Sequence, residues 1–298
     1  MLEIETKPEE IPSSWEELDL SELSGTLMVV GSSDVGKSTF SRYLFKRLCT
    51  IYPRVAYLDG DPGQSTLGPP TTMTLAMAEN GDNSFPPRGR RWQAFVGSVS
   101  PLGNMLAVLI CAARLMEAAQ KAGAQVVIYD TTGLVEAARG GIHLKLAKID
   151  LLRPQVLFAL QRHQELQTLL LPLRRKSRML VLEFSPSSSA QRRDTSVRKA
   201  HRAAQFAQYF SNSSQLRVNW PQLAVLPAPR FDLHRLVALE DADGFTIGLG
   251  IVAKIDRIYR QVVLHTPVDT LNGVDVIRVG DLLVDPVTYE DSPLTRKY

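Results

Sequence analysis

Cysteine is scarce in this chain of 298 residues, and long apolar runs are missing from it. The two cysteines, Cys49 and Cys111, lie far apart and have no His or Cys companions at metal-ligand spacing. A disulfide framework and a zinc site are therefore not expected, and the natural compartment is a reducing cytoplasm. The longest apolar run, around 105–113, is too short to span a bilayer. The first 20 residues are acidic and lack an apolar centre, so they do not resemble a signal peptide.

Net charge is also small, at +3, but it is unevenly distributed. Hydrophobic residues make up 44% of the chain and charged residues 22%, which is typical of a globular protein. Between residues 172 and 202 the only acids are Glu183 and Asp194, against the basic residues Arg174, Arg175, Lys176, Arg178, Arg192, Arg193, Arg198, Lys199 and Arg202. Such a stretch suits salt-sensitive, sequence-independent attraction to a polynucleotide backbone, although ordinary surface charge is an equal alternative.

Short apolar runs alternate with segments of helical spacing over the first two thirds of the chain. The predicted strands are 26–30, 54–58, 92–96, 125–129 and 155–160, and the predicted helices are 38–48, 104–121 and 142–152. This alternation predicts an α/β fold with a mainly parallel sheet covered by helices on both faces. Ligands bind such sheets at the carboxyl ends of the strands, where we find Asp59, Asp61, Asp130 and Gln161.

The composition divides the chain into three parts. Residues 1–24 are predicted to be an N-terminal arm that precedes the first strand. Residues 25–215 are predicted to be the nucleotide-binding domain, with a basic helical lid at 172–212. Residues 216–298 contain short β-type runs separated by Gly, Asp and Asn, which predict a small C-terminal β domain.

A phosphate-binding motif follows the first predicted strand. Residues 31–38 match the P-loop pattern G-x-x-x-x-G-K-[ST] in full. In such a loop the backbone N–H groups and the helix N-terminus surround the phosphates. Lys37 is expected to reach the β- and γ-phosphates, and the Ser38 hydroxyl to bind Mg²⁺. The predicted nucleotide-binding residues of this segment are Ser33, Asp34, Val35, Gly36, Lys37, Ser38 and Thr39.

Two carboxylates follow the second strand, within the sequence Asp-Gly-Asp-Pro-Gly. Asp59 and Asp61 are candidates for holding a metal and for accepting the proton of an attacking hydroxyl, as a kinase requires. The alternative is a solvated turn, since the same residues favour turns. A guanine-reading GTPase is not indicated, because 147–150 (AKID) lacks the first polar residue of the Asn/Thr-Lys-x-Asp motif and lies in a predicted helix.

These motifs, taken in order, resemble those of the P-loop polynucleotide 5′-hydroxyl kinases. That family includes the kinase subunit of the pre-messenger-RNA cleavage factor and a kinase of ribosomal-RNA processing, and this chain resembles a compact prokaryotic member. The resemblance covers roughly residues 25–212, and a C-terminal β domain is usual in the family. It is carried by 31–38, 59–64, Gly68-Pro69-Pro70, 97–104, 130–133, Arg198-x-x-x-Arg202 and Tyr209-Phe210.

The resemblance implies a role for each matching residue. Asp61 is expected to be the general base, with Asp59 as its helper, and both are expected to contact the metal together with Ser38. Arg198 and Arg202 are expected to be lid arginines over the triphosphate. The residues expected near the nucleobase are Gln161 and Arg162. Those expected to line the acceptor or clasp it are Gln64, Gly68, Pro69, Pro70, Ser100, Pro101, Thr131, Thr132 and Gly133.

Physical chemistry supports the lid assignment, and two features depart from the family. Arginines at i and i+4 share one helix face, and arginine neutralises the charge that develops on a transferring phosphoryl group. A solvated basic helix is the alternative.

The family's clasp usually continues with tryptophan where this chain has Leu134, and the N-terminal arm is shorter than the domain of the eukaryotic members. In that arm, Trp15 is expected to anchor the segment to the core, with base stacking as the alternative.

Three functions follow from these observations. The first is an Mg²⁺-dependent kinase that transfers the γ-phosphate of ATP, or of another nucleoside triphosphate, to the 5′-hydroxyl end of RNA or DNA. The second is a kinase of a small acceptor such as a nucleoside. The third is a nucleotide-dependent binding or assembly ATPase without phosphotransfer. Contacts to a 2′-hydroxyl would distinguish RNA from DNA as the acceptor.

Overall fold

The computed structural model describes residues 11–79, 82–175, 178–186 and 194–294. Over these residues the α-helices are α1 Ser13–Glu16, α2 Lys37–Leu48, α3 Met105–Lys121, α4 Gly141–Leu152, α5 Gln167–Leu173 and α6 Thr195–Tyr209. The strands are β1 Gly25–Gly31, β2 Val55–Gly60, β3 Thr72–Met77, β4 Arg91–Phe95, β5 Val126–Thr131, β6 Val156–Leu160, β7 Leu180–Phe184, β8 Ser214–Asn219, β9 Ala224–Leu226, β10 Arg235–Glu240, β11 Thr246–Asp256, β12 Gln261–Thr266, β13 Val276–Val284 and β14 Asp291–Pro293.

The first sheet has the strand order β4-β3-β2-β5-β1-β6-β7. β1 pairs in parallel with β5 and with β6, and β6 pairs in parallel with β7. Every residue of β1 after Gly25 is buried, because helices cover both faces of such a sheet and its strands must be apolar on both sides. The predicted α/β fold with a mainly parallel sheet is confirmed.

Two elements of this sheet were absent from the sequence prediction. β3 pairs antiparallel with β4, so this edge of the sheet is not parallel. β7 lies within the stretch that was predicted to be a basic lid, and its β-branched and aromatic residues pair with β6. The side chain of Arg174 in the same stretch forms an ion pair with Glu183 of β7. Of the other basic residues, Lys176, Arg192 and Arg193 lie outside the described residues.

The second sheet is formed by the C-terminal part of the chain and has the order β14-β13-β10-β11-β12-β8, with β9 paired to β13. Its pairings are antiparallel except for β9 with β13. One of its apolar clusters includes Val237, Val252 and Ile277. A second cluster adds Phe206 and Phe210 of α6, so this helix packs on the C-terminal sheet.

The chain divides into two compact units, and each unit combines segments that are separate in the sequence. The first unit comprises residues 1–57, 77–88 and 123–193, and the second comprises 58–76, 89–122 and 194–298. The segment around β4 groups with the second sheet because Phe95 packs in the same cluster as Phe206 and Phe210. Within the described part of the chain, no helix is both long and apolar enough to cross a membrane.

The N-terminal arm is held to the first unit by Trp15. Its indole is 1% exposed, lies 4.8 Å from the ring of Phe40 and is 5.7 Å from that of Tyr43. The Tyr43 hydroxyl donates a hydrogen bond to the Trp15 carbonyl over 3.0 Å. The prediction that Trp15 anchors the arm is confirmed, and base stacking is excluded because a buried ring cannot receive a base.

Candidate functional site

The P-loop connects the end of β1 to the start of α2, as the motif predicts. At Gly31 a Cβ atom would lie 2.5 Å from the Leu160 carbonyl oxygen and 2.8 Å from Cγ2 of Val35, so only glycine allows this close approach to β6. Gly36 has a φ of +88°, a conformation that glycine adopts without strain, and helix α2 begins at the next residue. The local sequence therefore determines the turn that leads into the helix N-terminus.

Lys37 and its neighbours form a polar cluster inside this loop. The Lys37 ammonium group is buried and donates to the Ser32 carbonyl oxygen over 2.7 Å, which curls the side chain back over the loop. Ser38, in the first turn of α2, is half-buried. The guanidinium of Arg162 donates to the Asp34 carbonyl over 2.8 Å. The structure thus brings Arg162 to the P-loop, and its predicted position near the nucleobase stays a prediction.

Glu165 is part of this cluster and was not identified from the sequence. Its carboxylate accepts a hydrogen bond from the Ser32 hydroxyl over 3.1 Å and from the backbone amides of Arg162 and His163. Burial by itself raises the pKa of the Glu165 carboxyl, but these hydrogen bonds outweigh burial and the pKa lies below its ordinary value. The charged carboxylate therefore ties the loop after β6 to the P-loop. A single Glu three residues after Arg162 carries no sequence signal for this contact.

Both ends of the Gln161 side-chain amide form hydrogen bonds within the protein. Its Nε2 donates to Glu183 over 2.7 Å and its Oε1 accepts from the Leu166 amide over 3.1 Å. These bonds organise the loop that carries Arg162 and Glu165. They favour a supporting role for Gln161 over the predicted contact with the nucleobase.

The predicted clasp, residues 131–133, lies against the P-loop. A Cβ atom at Gly133 would be 2.3 Å from the Ser33 hydroxyl oxygen and 2.7 Å from the Ser33 Cα atom, so the two backbones are in direct contact. The Thr131 hydroxyl donates to the Val29 carbonyl of β1 over 2.7 Å. A second residue missed by the sequence prediction, Lys145 of α4, donates to the same Thr131 oxygen over 2.7 Å.

Asp59 and Asp61, in the second unit, have different environments. Asp59 is 2% exposed, and its Oδ2 atom accepts hydrogen bonds from the Ser65 hydroxyl, the Thr66 amide and hydroxyl, and the Leu67 amide. Asp61 is half-buried, and its Oδ1 atom accepts from the amides of Gly63 and Gln64 at 2.9 and 3.1 Å. Across the described ranges, Oδ2 of Asp61 accepts no hydrogen bond. The arrangement favours Asp59 as the organiser of the loop and leaves one oriented oxygen of Asp61 available for chemistry.

The segments predicted to line the acceptor are adjacent within the second unit. At Gly63 a Cβ atom would lie 2.2 Å from the Val99 carbonyl oxygen, which brings the loop of Gln64 against the loop of Ser100 and Pro101. Thr71, next to Pro70, holds a strained φ of +75°, and its carbonyl accepts hydrogen bonds from the amides of Val96 and Gly97. The backbone of residues 62–71 is therefore fixed against residues 96–100. At Gly68 a Cβ atom would meet Oγ1 of Thr74 at 2.3 Å.

The predicted lid helix, α6, is attached to this loop and to the second sheet. Gln205 donates to the Ser65 carbonyl over 2.6 Å. Arg202 is 8% exposed and makes two hydrogen bonds to the Asp291 carboxylate, at 2.8 and 3.0 Å. This bidentate ion pair favours an anchoring role for Arg202 over the predicted contact with a triphosphate. Arg198, one turn earlier, is half-buried.

Helix α6 begins at a capping residue that the sequence prediction did not use. The Asp194 carboxylate accepts from the Val197 amide over 2.9 Å, and this hydrogen bond holds the pKa of the carboxyl below its ordinary value. The sequence Asp-Thr-Ser-Val contains this signal. The lid helix is therefore capped at its start and anchored at Arg202.

A cleft of about 1040 Å³ opens elsewhere in the second unit, and none of the predicted site residues lines it. Its wall carries both charges and two aromatic rings, and the Arg90 guanidinium stacks 4.5 Å above the Trp92 ring. The polar and aromatic lining residues include Arg90, Arg91, Trp92, Arg114, Glu117, Lys121, Asp241, Asp243 and Phe245. The mixture of cations and carboxylates does not select one ligand class, so this cleft plays no part in the function proposed below.

Among residues 11–79, 82–175, 178–186 and 194–294, no group of three or more His, Cys, Asp and Glu side chains could hold a metal ion. A protein-only metal cage is therefore absent from this part of the chain. Mg²⁺ at nucleotide sites does not need one, because it keeps several waters and takes only one or two protein oxygens beside the phosphates.

The chain is similar in sequence to one protein family and to several archaeal kinases. The sequence model of the family described as mRNA cleavage and polyadenylation factor CLP1 P-loop matches residues 31–212. A polyribonucleotide 5′-hydroxyl-kinase of Methanocaldococcus jannaschii is 26% identical over an alignment of 319 positions, which covers 87% of this chain and 87% of the relative. One from Pyrococcus horikoshii is 28% identical over 258 residues, covering 87% of this chain and 66% of the relative.

A solved structure and a human protein add to these relatives. The structure of wild-type Clp1p in complex with Pcf11p superposes with a TM-score of 0.68 over 91% of this chain and 77% of that one, at 12% identity. At this identity the match supports the fold alone. The human polynucleotide 5′-hydroxyl-kinase NOL9 is 49% identical over 49 residues, covering 16% of this chain and 7% of that protein.

Proposed function

The chain belongs to the CLP1 P-loop family, and on that premise we propose that it is a polynucleotide 5′-hydroxyl kinase that acts on RNA ends. The relatives that match along 87% of its length bear the name polyribonucleotide 5′-hydroxyl-kinase. The nucleotide is ATP, as expected of a P-loop kinase. The acceptor is the 5′-hydroxyl of an RNA strand, and DNA ends are a second acceptor to be tested.

The observation that carries the proposal is the difference between Asp59 and Asp61. A general base needs a carboxylate oxygen that is oriented and available. Asp61 meets both conditions, because two amides hold Oδ1 and leave Oδ2 unengaged among the described residues. Asp59 meets only the first, since four donors engage its Oδ2 atom and the Asp61 amide donates to its Oδ1 atom over 3.4 Å. In the proposed reaction the 5′-hydroxyl loses its proton to Asp61 and attacks the γ-phosphorus, and ADP leaves.

The residues of the first unit hold the donor. The P-loop amides and Lys37 bind the triphosphate, and Gly31 and Gly36 allow the backbone conformation that leads from β1 into α2. Mg²⁺, when bound, neutralises charge on the β- and γ-phosphates. Ser38 and Asp61 each provide the type of oxygen ligand that this cation prefers.

Residues of the second unit serve the acceptor and the transition state. Gln64 and the loop of Ser100 and Pro101 line the acceptor strand. Arg198 neutralises the charge that spreads over the transferring phosphoryl group, an effect worth about 10³-fold or more in rate where arginine fingers have been measured. Arg202 holds the helix that carries Arg198 through its pair with Asp291.

The decisive experiment is transfer of labelled γ-phosphate from ATP to matched RNA and DNA oligonucleotides with free 5′-hydroxyls. A 5′-phosphorylated RNA of the same sequence and a free nucleoside are the acceptor controls, and Lys37→Ala is the enzyme control. Labelling of the 5′-hydroxyl RNA, with or without the DNA, supports the proposal if the 5′-phosphorylated RNA and the nucleoside stay unlabelled. Labelling of the nucleoside in place of the oligonucleotide indicates a small-acceptor kinase. ATP hydrolysis with no labelled acceptor indicates a nucleotide-dependent ATPase.

A further inference from the structure

Helix α4 carries a lysine whose charge is completely enclosed. Lys145 is 0% exposed, and its ammonium group donates to the Thr131 hydroxyl oxygen over 2.7 Å, to the Thr132 carbonyl oxygen and, at 3.4 Å, to the Thr132 hydroxyl oxygen. An ammonium group has three N–H donors, and the two threonines supply acceptors for them. Burying such a charge is unfavourable unless it is hydrogen-bonded, so these contacts fix the position of the ammonium group.

One of these contacts leads to the strand that enters the P-loop. The Thr131 hydroxyl has a single hydrogen, which it donates to the Val29 carbonyl over 2.7 Å. Its oxygen must therefore accept from Lys145, so the hydrogen bonds run from Lys145 through Thr131 to β1. Val29 lies two residues before Gly31, where the P-loop begins.

The other contact leads to the loop itself. Lys145 holds the Thr132 carbonyl, which belongs to the peptide unit that joins Thr132 to Gly133. A Cβ atom at Gly133 would lie 2.7 Å from the Ser33 Cα atom and 2.8 Å from the Ser33 amide nitrogen. With no side chain between the two backbones, a shift of this peptide unit moves Ser33, whose amide belongs to the phosphate-binding loop.

We propose that Lys145 is a positioning residue for the nucleotide, which holds residues 131–133 against the P-loop and so keeps the loop in the conformation that binds a triphosphate. The inference rests on the proposed function only in taking the P-loop to bind ATP. Lys145 touches no reacting atom, and its effect reaches the nucleotide through Thr131 and Gly133.

Lys148, one turn further along α4, provides a matched control. It is also 0% exposed, and its ammonium nitrogen lies 4.9 Å from the centre of the Tyr129 ring. Met fills the space of either lysine stem without its charge, so Lys145→Met and Lys148→Met impose the same chemical change at two enclosed positions of one helix. The free energy of unfolding is measured by urea denaturation, and ATP affinity by titration with a fluorescent ATP analogue in the absence of RNA.

The expected result is that both substitutions lower stability, whereas only Lys145→Met weakens ATP binding, by about tenfold or more. Lys148→Met is expected to bind within about twofold of the parent. Parent-like ATP affinity in Lys145→Met, or equal weakening in both variants, overturns the proposal. Because RNA is absent, this outcome does not depend on kinase activity, which labelling by the parent protein tests separately.

A second pair of variants decides the question if Lys145→Met does not fold. Thr131→Val removes the oxygen that Lys145 and Val29 share, and Thr131→Ser keeps it. Weak ATP binding in Thr131→Val with parent-like binding in Thr131→Ser supports the proposal. Parent-like binding in Thr131→Val overturns it. Where Lys145→Met does fold, combining it with Thr131→Val should weaken binding no further than Lys145→Met alone, because Lys145→Met already removes the contact with Thr131.

Discussion

Substituting the two aspartates of the acidic loop separates catalysis from folding. In Asp61→Asn the amide oxygen replaces Oδ1 and still accepts from the amides of Gly63 and Gln64, so the loop keeps its conformation. The variant has no carboxylate to accept a proton. Loss of a general base lowers the rate by about 10²- to 10⁴-fold, or roughly 3–5 kcal/mol in the activation free energy. The free energy of unfolding is expected to change by less than about 1 kcal/mol.

Asp59→Ala is expected to act mainly on stability. It leaves the buried Ser65 hydroxyl, the buried Leu67 amide and the part-buried Thr66 amide without their acceptor. Each unsatisfied buried donor costs about 1–3 kcal/mol, so the combined loss is roughly 3–5 kcal/mol when the loop relaxes partly.

Two measurements test this reasoning together. Urea denaturation gives the free energy of unfolding of each variant, and single-turnover labelling of a 5′-hydroxyl RNA gives the rate per folded molecule. Asp61→Asn should be stable and inactive, and Asp59→Ala should be unstable. Labelling by Asp61→Asn at the parent rate would refute its role as base. An Asp59→Ala protein as stable as the parent would refute the organising role of Asp59.

Three further predictions concern the P-loop and the lid helix. Lys37→Ala should abolish ATP binding, measured by fluorescence titration, and leave the fold intact, because the Lys37 ammonium group supplies the positive charge that binds the phosphates. Undiminished ATP affinity would contradict that role. Arg202→Ala should lower the free energy of unfolding by about 3–5 kcal/mol, because it leaves the buried Asp291 side chain without its partner. Arg198→Ala should lower the labelling rate by about 10³-fold with little change in stability. The opposite pattern would show that Arg202, and not Arg198, acts on the transferring phosphoryl group. The pKa of Glu165 is lowered in the folded protein, so its contribution to stability is present above the unfolded pKa of about 4.3 and is lost as the pH falls through the lower folded pKa. The stability difference between the parent and Glu165→Gln, followed by urea denaturation at several pH values, should therefore be largest near neutral pH and shrink below about pH 4; a difference that does not vary with pH would show that the charge is irrelevant.

The sequence was sufficient for the features that depend on local chemistry. A buried strand, a glycine turn and a helix start are each encoded within a few residues, so the P-loop at 31–38 and the strands that carry Asp59 and Asp130 were predicted correctly. Trp15 was predicted as an anchor because a large ring in a short arm gains most from burial. The antiparallel strand β3 was missed, since a run of six buried residues after a turn has no distinctive period.

The partners of each charged side chain were decided by tertiary structure alone. The sequence presents Arg198 and Arg202 as an equivalent pair on one helix face. Among the described residues, Asp291, which is 89 residues from Arg202, pairs with Arg202 and not with Arg198. Asp59 and Asp61 look alike in the motif, and the path of residues 63–67 gives them different hydrogen-bond donors. Lys145 carries no motif, and its enclosure by Thr131 and Thr132 follows from the packing of α4. The propensity of a segment for helix, strand or turn depends on neighbouring residues, whereas long-range hydrogen bonds depend on how the whole chain folds.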